Sequence, residues 1–308
     1  MPDTLPGASA PAHWNLDSVV AQLRDSREVT HKIRHQGNIR ELPSKTALVG
    51  ILQGLCAALF PTHYGRAGLT DESIDYFVGD TLNTTLSLLS EQIRRGLVFS
   101  TDAGKLSGTQ LTERAQQITR EFASQLPAIR ALLVSDLQAA YQGDPAATSI
   151  AEILLCYPGT VAVIYYRLAH ALYRLDAILV ARLISDIAHS DTGIDIHPAA
   201  QIGGSFFIDH GTGVVIGETA VIGQHVRLYQ AVTLGARRFP ADATGALIKG
   251  NARHPIVEDD VVIYAGATIL GRITIGRGST IGGNVWLTHD VAPGSNVSQA
   301  DARSHCPE

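Results

Sequence analysis

Residues 256–287 read IVEDDVVIYAGATILGRITIGRGSTIGGNVWL, with an aliphatic side chain at every sixth position: Val257, Ile263, Ile269, Ile275, Ile281 and Leu287. Upstream, Ile216, Ile222, Leu228 and Leu234 keep the same step. Before a slip of two residues, Ile196, Ile202, Ile208 and Val214 keep it too. Glycine follows the aliphatic residue at 203, 217, 223, 235, 276 and 282. A six-residue period held over roughly ninety residues fits neither a helix nor a simple hairpin sheet. It is the signature of hexapeptide repeats stacked as a parallel β-helix. Each unit reads as one short strand plus one turn. Three units make a triangular coil, and ladder hydrogen bonds join successive coils. The aliphatic residue is expected to point into the prism, and the glycine beside it to turn the chain by adopting φ > 0. The competing fold, a β-sandwich with Gly-rich turns, spaces its turns at about 8–12 residues instead.

Between about 16 and 190 the apolar spacing is helical. Ile118, Phe122, Leu126, Ile129, Leu133 and Leu137 step by four and three, as do Leu82, Leu86, Leu89 and Ile93; such spacing lays one apolar stripe along a helix. Gly-rich breaks at 64–68, 101–108 and 142–145 separate the helical stretches. The resulting expectation is an α + β chain of four parts: a flexible lead-in (1–15), a domain of six to eight helices (16–190), a β-helix (191–295) with a loop inserted at 236–256, and a C-terminal tail (296–308).

The chain has 308 residues, 45% apolar and 17% charged, which excludes a disordered polyelectrolyte. A net charge of -5 argues against a bulk nucleic-acid binder. Cys56, Cys156 and Cys306 are far apart and form no CxxC pair, so neither a disulfide framework nor a thiolate metal site is expected, and a reducing, cytoplasmic compartment fits. The stretch 161–187 is broken by Arg167, His170, Arg174, Asp176, Arg182 and Asp186. It reads as one or two amphipathic helices, not as a membrane span.

The defects in the repeat carry the chemistry, because a regular prism has no reason to break its period. The slip falls at Phe206-Phe-Ile-Asp-His-Gly-Thr-Gly213, and the long interruption contains Asn251-Ala-Arg-His-Pro255. Each brings a histidine beside a charge, Asp209-His210 and Arg253-His254, and irregular loops are common places for sites.

Together with Asp195-Ile-His-Pro198, Glu218-Thr-Ala220, Gln230-Ala-Val-Thr-Leu-Gly235, Ala265-Gly-Ala-Thr-Ile-Leu-Gly271 and Asp144-Pro145, these segments resemble the serine O-acetyltransferases. Gly282-Gly-Asn-Val-Trp286 and the long N-terminal region look like the bacterial subgroup with an extended helical domain. The resemblance implies a left-handed β-helix and acetyl transfer from acetyl-CoA, as co-substrate, to the hydroxyl of L-serine in cysteine synthesis. It makes His210 the general base, Asp195 its carboxylate partner and His254 a second catalytic histidine. Arg253 becomes the binder of the serine carboxylate, and Asp144 and Asp209 the holders of its ammonium group. These roles suit the chemistry. An alcohol needs a base during attack, a carboxylate fixes the imidazole tautomer, and a guanidinium fork matches a carboxylate. For the cofactor slot the resemblance offers Gly235, Ala265, Gly266 and Gly283. Lys249 is a weaker candidate for a CoA phosphate, against the plain reading of a solvated surface charge. No metal is expected. The family further implies a homotrimer or a dimer of trimers with sites between subunits, and feedback inhibition by L-cysteine.

The chain departs from the family at its end. Ser304-His-Cys-Pro-Glu308 lacks the terminal isoleucine that docks into O-acetylserine sulfhydrylase, so that complex is not carried over. Three other readings compete. A hexapeptide acyltransferase for a sugar or another acceptor fits the repeat, but the paired Asp209 and Arg253 favour an amino acid. A γ-class carbonic anhydrase needs three histidines on zinc, and the prism lacks the HxxxxH pair. A scaffold without catalysis would not require Asp195 and His210.

Overall fold

The computed structural model describes residues 14, 16–30, 34–35, 38–39, 41–99, 107–238, 242 and 244–299. The chain divides into two compact units, 1–41 and 42–308. The first holds α1 (Leu16–Thr30) and an antiparallel pair, β1 (Arg34–His35) with β2 (Asn38–Ile39). Nearly all of the expected lead-in at 1–15 lies outside the described residues.

The second unit begins with seven helices among its described residues: α2 (Lys45–Leu59), α3 (Pro61–Tyr64), α4 (Ile74–Leu97), α5 (Gly108–Gly143), α6 (Ile150–Cys156), α7 (Pro158–Arg174) and α8 (Ile178–Thr192). Their starts are written in the sequence. Ser44 and Ser149 cap α2 and α6 with their hydroxyls, and Ser107 with Gln110 forms a capping box at α5. The six-residue stripe from Ile118 to Leu137 is buried along α5. The apolar stretch 161–187 is two helices, α7 and α8, broken at Leu175–Ala177, where Asp176 takes φ 67°.

Gly193, in the left-handed conformation at φ 70°, closes α8, and β3 (Asp195–Ile196) follows at once. From there strands of two or three residues wind round a triangular prism. Face one is β3, β6 (Val215–Ile216), β9 (Thr233–Gly235), β12 (Thr268–Leu270) and β15 (Trp286–Leu287). Face two is β4 (Gln201–Ile202), β7 (Val221–Ile222), β10 (Ile256–Val257) and β13 (Thr274–Ile275). Face three is β5 (Phe207–Ile208), β8 (Arg227–Leu228), β11 (Val262–Ile263), β14 (Thr280–Ile281) and β16 (Asn296–Val297). All these pairings are parallel, and the aliphatic series falls on the second residue of each strand. On face one, Ile196, Ile216, Leu234, Ile269 and Leu287 stack in register.

The structure corrects the sequence reading at four points. Val214 is buried but precedes its strand. It belongs to a second inward column with Ala200, Ala220, Val226, Val232, Val261, Ala267 and Val285, two positions before the strand aliphatics. The glycines at 203, 217, 223, 235, 276 and 282 have no positive φ. They are glycine for space: a Cβ on Gly203 would sit 2.6 Å from Gly223 O, and one on Gly276 would sit 2.4 Å from Pro293 N. Positive φ belongs instead to corner residues such as Ser205, His210, His225, Ala231, Asp260 and Asn284. Helices α2–α8 and the prism are one unit, without a boundary at 190, because one buried core runs continuously from Leu48 to Val291. Finally, β16 carries the prism to Val297, into the stretch read as tail; residues 300–308 lie outside the described ones.

Contacts from α5 and α7 fix the helices on the prism. The backbone of α7 lies so close to β5 that a Cβ on Gly159 would be 2.2 Å from Ile208 O. Arg167 of α7 and Asp136 of α5 form a buried, two-pronged ion pair (2.6 and 2.8 Å). Its remaining bonds go to Ile202 O, Gly203 O and Phe206 N–H at the corner between faces two and three.

Candidate active site

The corner between faces three and one carries the first group of charged side chains. Strand β5 delivers Asp209 and His210 into a turn two residues longer than its counterparts, since Ile208 pairs with Leu228 and Ile196 with Ile216 at a spacing of twenty. His210 takes φ 57° and its side chain is 72% exposed, open to a reactant. Asp209 is largely covered, and its Oδ1 lies 3.9 Å from His210 Nε2, too far for a hydrogen bond. Gly211 lies over the Ile194 side chain, and the Gly213 N–H donates to Gly193 O at 2.8 Å. The turn therefore rests on the lead into β3, whose first residue is the half-buried Asp195. No hydrogen bond joins Asp195 to His210 within the chain, so the structure places the expected pair on one edge without connecting them.

Asp144, the C-cap of α5, belongs to the same neighbourhood. Its Oδ2 accepts from the Tyr157 hydroxyl at 2.5 Å and its Oδ1 from the Ala146 N–H at 2.8 Å. The Tyr157 bond first, then the Ala146 bond, hold its carboxyl below the ordinary carboxylate value, and the charges of His210 and Arg227 pull the same way. Arg227 in turn lies over the Phe207 ring, 5.5 Å from its centre.

The second group lies on the corner between faces one and two. The inserted loop leaves after β9 and returns through Arg253-His254-Pro255 into β10. Val221 pairs with Ile256, so residues across the insertion stack at a spacing of thirty-five. That offset sets Arg253 over Glu218 and His254 over Thr219. Arg253 Nη2 donates to Glu218 Oε2 at 2.6 Å. Burial works against the Glu218 charge, but Arg253 outweighs it and lowers the carboxyl.

His254 is buried, and its protonation follows from counting donors. Thr219 Oγ1 accepts the N–H groups of Arg253 (2.9 Å) and His254 (3.1 Å), so its own proton points to His254 Nδ1 at 2.9 Å. The Thr219 N–H donates to the same nitrogen at 3.1 Å. Nδ1 is thus an acceptor and Nε2 carries the ring proton. Burial, with Arg253 beside it, pushes the His254 pKa down to about 4, so the ring is a neutral Nε2–H donor at pH 7. Two coils below, His197 accepts the Ala199 N–H at Nδ1 and is likewise pushed down to about 4, chiefly by burial.

The cofactor candidates divide between the two corners. Ala265, Gly266 and Gly283 lie on the His210 corner, in the links from β11 to β12 and from β14 to β15; Gly235 ends β9 on the Arg253 corner. Lys249 is exposed in the inserted loop. One chain therefore brings together His210, Asp209, Asp195 and Asp144, and separately Arg253 and His254; the width of face one lies between. The sequence reading missed Tyr157, Glu218 and Thr219 as partners, and it gave Gly217, whose bareness admits the His254 ring, only a turn role. The coil offset alone would have found Glu218 and Thr219. Among the described residues no group of three or more His, Cys, Asp or Glu is placed to hold a metal.

Residues 254–289 match the family described as bacterial transferase hexapeptide (six repeats). The chain is 58% identical over 297 residues to a serine acetyltransferase of Synechococcus elongatus, covering 94% of this chain and 92% of the relative. The chain belongs to the serine acetyltransferase family. The serine acetyltransferase 1 of Entamoeba histolytica, solved in complex with L-cysteine, is 35% identical with a TM-score of 0.70, covering 91% of this chain and 97% of that one. A soybean serine acetyltransferase complexed with serine is 33% identical with a TM-score of 0.52, over 82% and 96%. The prism is accordingly the left-handed hexapeptide β-helix of serine acetyltransferases, preceded by their helical region.

Proposed function

We propose that this protein is a serine O-acetyltransferase: it moves the acetyl group of acetyl-CoA to the L-serine hydroxyl, giving O-acetyl-L-serine and CoA for cysteine biosynthesis in the cytoplasm. The observation that carries this reading is an exposed His210 on one prism corner with Asp209 and Asp144, set against Arg253 and a neutral His254 on the next. The pattern supplies a base, anions for an ammonium group and a cation for a carboxylate.

Two copies complete the site. The His210 corner of one chain faces the Arg253 corner of its neighbour round a threefold axis, in a homotrimer or a dimer of trimers. Between them the acyl donor runs along Gly235, Ala265, Gly266 and Gly283, where missing side chains leave room for a thin arm. His210 takes the hydroxyl proton as the serine oxygen attacks the thioester carbonyl. Asp195 steadies the imidazolium that forms. The His254 Nε2–H donates to the reacting serine oxygen or to the oxyanion. Collapse of the tetrahedral species breaks the C–S bond, and His210 returns its proton to the leaving thiolate, so charge and protons balance without an acyl-enzyme. L-Cysteine, which shares the ammonium and carboxylate of serine, competes for the same clamps.

The test is CoA thiol release from acetyl-CoA with and without L-serine, on wild type and His210→Ala. Serine-dependent release, cut at least about a hundredfold in the variant, supports the reading. Release with another hydroxyl acceptor but not with serine overturns the substrate. No release with any acceptor overturns the enzyme.

A further inference from the structure

Asp136, Ala140 and Gly143 share one face of α5, spaced by four and three. Asp136 fastens one end of this stripe to the prism through the Phe206 N–H, and Ala140 between them is buried. At the other end a Cβ on Gly143 would sit 2.2 Å from Arg227 Nη2, 2.9 Å from its Cζ and 3.1 Å from Phe207 Cδ1. The bare Cα of Gly143 therefore admits the guanidinium. Arg227 opens β8, one coil on from its register partner Phe207, and crosses the Phe207 ring to reach the helix end. Its Nη1 also donates to the Tyr229 hydroxyl at 3.4 Å. Among the described residues Arg227 forms no ion pair with a carboxylate. What it meets is the C-terminus of α5, a helix of 36 residues whose last turn holds no basic residue. A helix C-terminus carries partial negative charge, and a cation there is stabilising. The prism thus supplies the cation that the helix lacks, and the next residue along the chain is Asp144, the C-cap. A guanidinium near an ammonium site also repels an ammonium group. Here that effect is the lesser one, because Asp144 turns its carboxyl to the Tyr157 hydroxyl and the Ala146 N–H, while Arg227 touches Gly143.

We propose that Arg227 is a positioning residue for the acceptor: it holds the C-terminus of α5 on the prism, and so holds Asp144 where the ammonium group is received. The proposal rests on the serine reading above and adds a residue that touches neither substrate. A group displaced by a fraction of an ångström at a helix end weakens the clamp it carries without altering the base or the acyl donor.

The test uses the full-length protein with Arg227→Met, which keeps an apolar stem over Phe207 and drops the charge, and Arg227→Lys, which keeps the charge. In Arg227→Met the KM for L-serine should rise about fivefold or more, with kcat changed less than about twofold and the KM for acetyl-CoA unmoved. Arg227→Lys should recover most of the loss. Gly143→Ala should raise the serine KM as well, because its Cβ expels the guanidinium. Helix propensity alone would make that change favourable, so it separates the clamp from simple helix strength. In an Asp144→Asn background Arg227→Met should add little, since it acts through Asp144. A serine KM that falls in Arg227→Met would show repulsion of the ammonium group and overturns the proposal. An unchanged serine KM in Arg227→Met or Gly143→Ala, or full additivity with Asp144→Asn, overturns it too. Amide exchange over residues 140–146, followed without substrate, should be about tenfold faster in Arg227→Met and near wild type in Arg227→Lys. If wild type released no CoA with serine, the acetyltransferase reading would fail, while exchange would still decide whether Arg227 holds the helix end.

Discussion

Gly217 lies directly against the His254 ring: a Cβ built on it would sit 2.0 Å from Cδ2 and 2.1 Å from Nε2. The ring cannot retreat, because Thr219 holds Nδ1 from the far side with two hydrogen bonds. Gly217→Ala is therefore expected to displace the Nε2–H donor, lowering kcat by at least about tenfold and the melting midpoint with it. Gly204→Ala, whose nearest contact would be 3.3 Å from the Ser135 hydroxyl, should be nearly neutral in both. Steady-state kinetics and thermal denaturation of the two variants check this; equal behaviour would remove the steric argument.

The Tyr157 hydroxyl holds Asp144 as an anion. Tyr157→Phe takes away the largest of the effects that lower the carboxyl, so its pKa should rise. The KM for serine should then increase several-fold with a smaller change in kcat, and the rise should be steeper at acidic pH, where the variant carboxyl begins to protonate. A serine KM measured between pH 5 and 8 that moves in parallel for both proteins would separate Tyr157 from the ammonium site.

Much of this was legible in the sequence, for a physical reason. In a prism each strand meets its own counterpart one coil on, so Ile263, Ile269, Ile275 and Ile281 repeat because they stack on copies of themselves. The same periodicity exposed the slip at Asp209-His210 and the insertion before Arg253. What stayed hidden were contacts outside the period. Tyr157 reaches Asp144 across a helix start, and Asp136 reaches Arg167 between two helices, with no local pattern to announce either. Glu218 and Thr219 were within reach of the sequence, but only once the insertion is counted into the coil and the offset becomes thirty-five. The corner glycines were misread because a bare Cα serves close stacking as well as positive φ.

His254 and His197 make folding stability pH-dependent. Both are pushed down to about 4 in the fold from the ordinary imidazole value of 6.5, mainly by burial. Between those values the unfolded chain binds more protons than the folded one, so stability falls as pH drops from 6.5 towards 4 and is flat above. For the buried His254 the slope is at most about 1.4 kcal/mol per pH unit. Urea midpoints taken at pH 7.0, 6.0 and 5.0 should decline, and His254→Gln should flatten that decline. A wild-type midpoint constant from pH 7 to 5 would contradict the assignment of two neutral rings.

At the buried pair of Asp136 and Arg167 a general rule should fail. Removing one member of such a pair leaves an uncompensated buried charge, and Asp136→Asn should cost about 3–5 kcal/mol. Arg167→Met should cost less at low pH than at neutral pH. Burial already pushes the Asp136 carboxyl up, and without Arg167 it escapes the penalty by taking a proton. Replacing both by apolar residues often restores the stability of a buried pair. In this fold the pair also serves the prism backbone: Arg167 donates to Ile202 O and Gly203 O, and Asp136 accepts the Phe206 N–H at 2.8 Å. An Asp136→Leu/Arg167→Met double variant would leave those groups buried and unpartnered, each worth about 1–3 kcal/mol. It should therefore remain destabilised by about 2 kcal/mol or more, with the two single changes strongly non-additive. Urea denaturation of the three variants gives the cycle. A double variant as stable as wild type would mean that the pair holds only itself, and that helices α5 and α7 sit on the prism through their other contacts, among them the Tyr166 hydroxyl to Ala200 O and the Ser205 N–H to Ser135 Oγ.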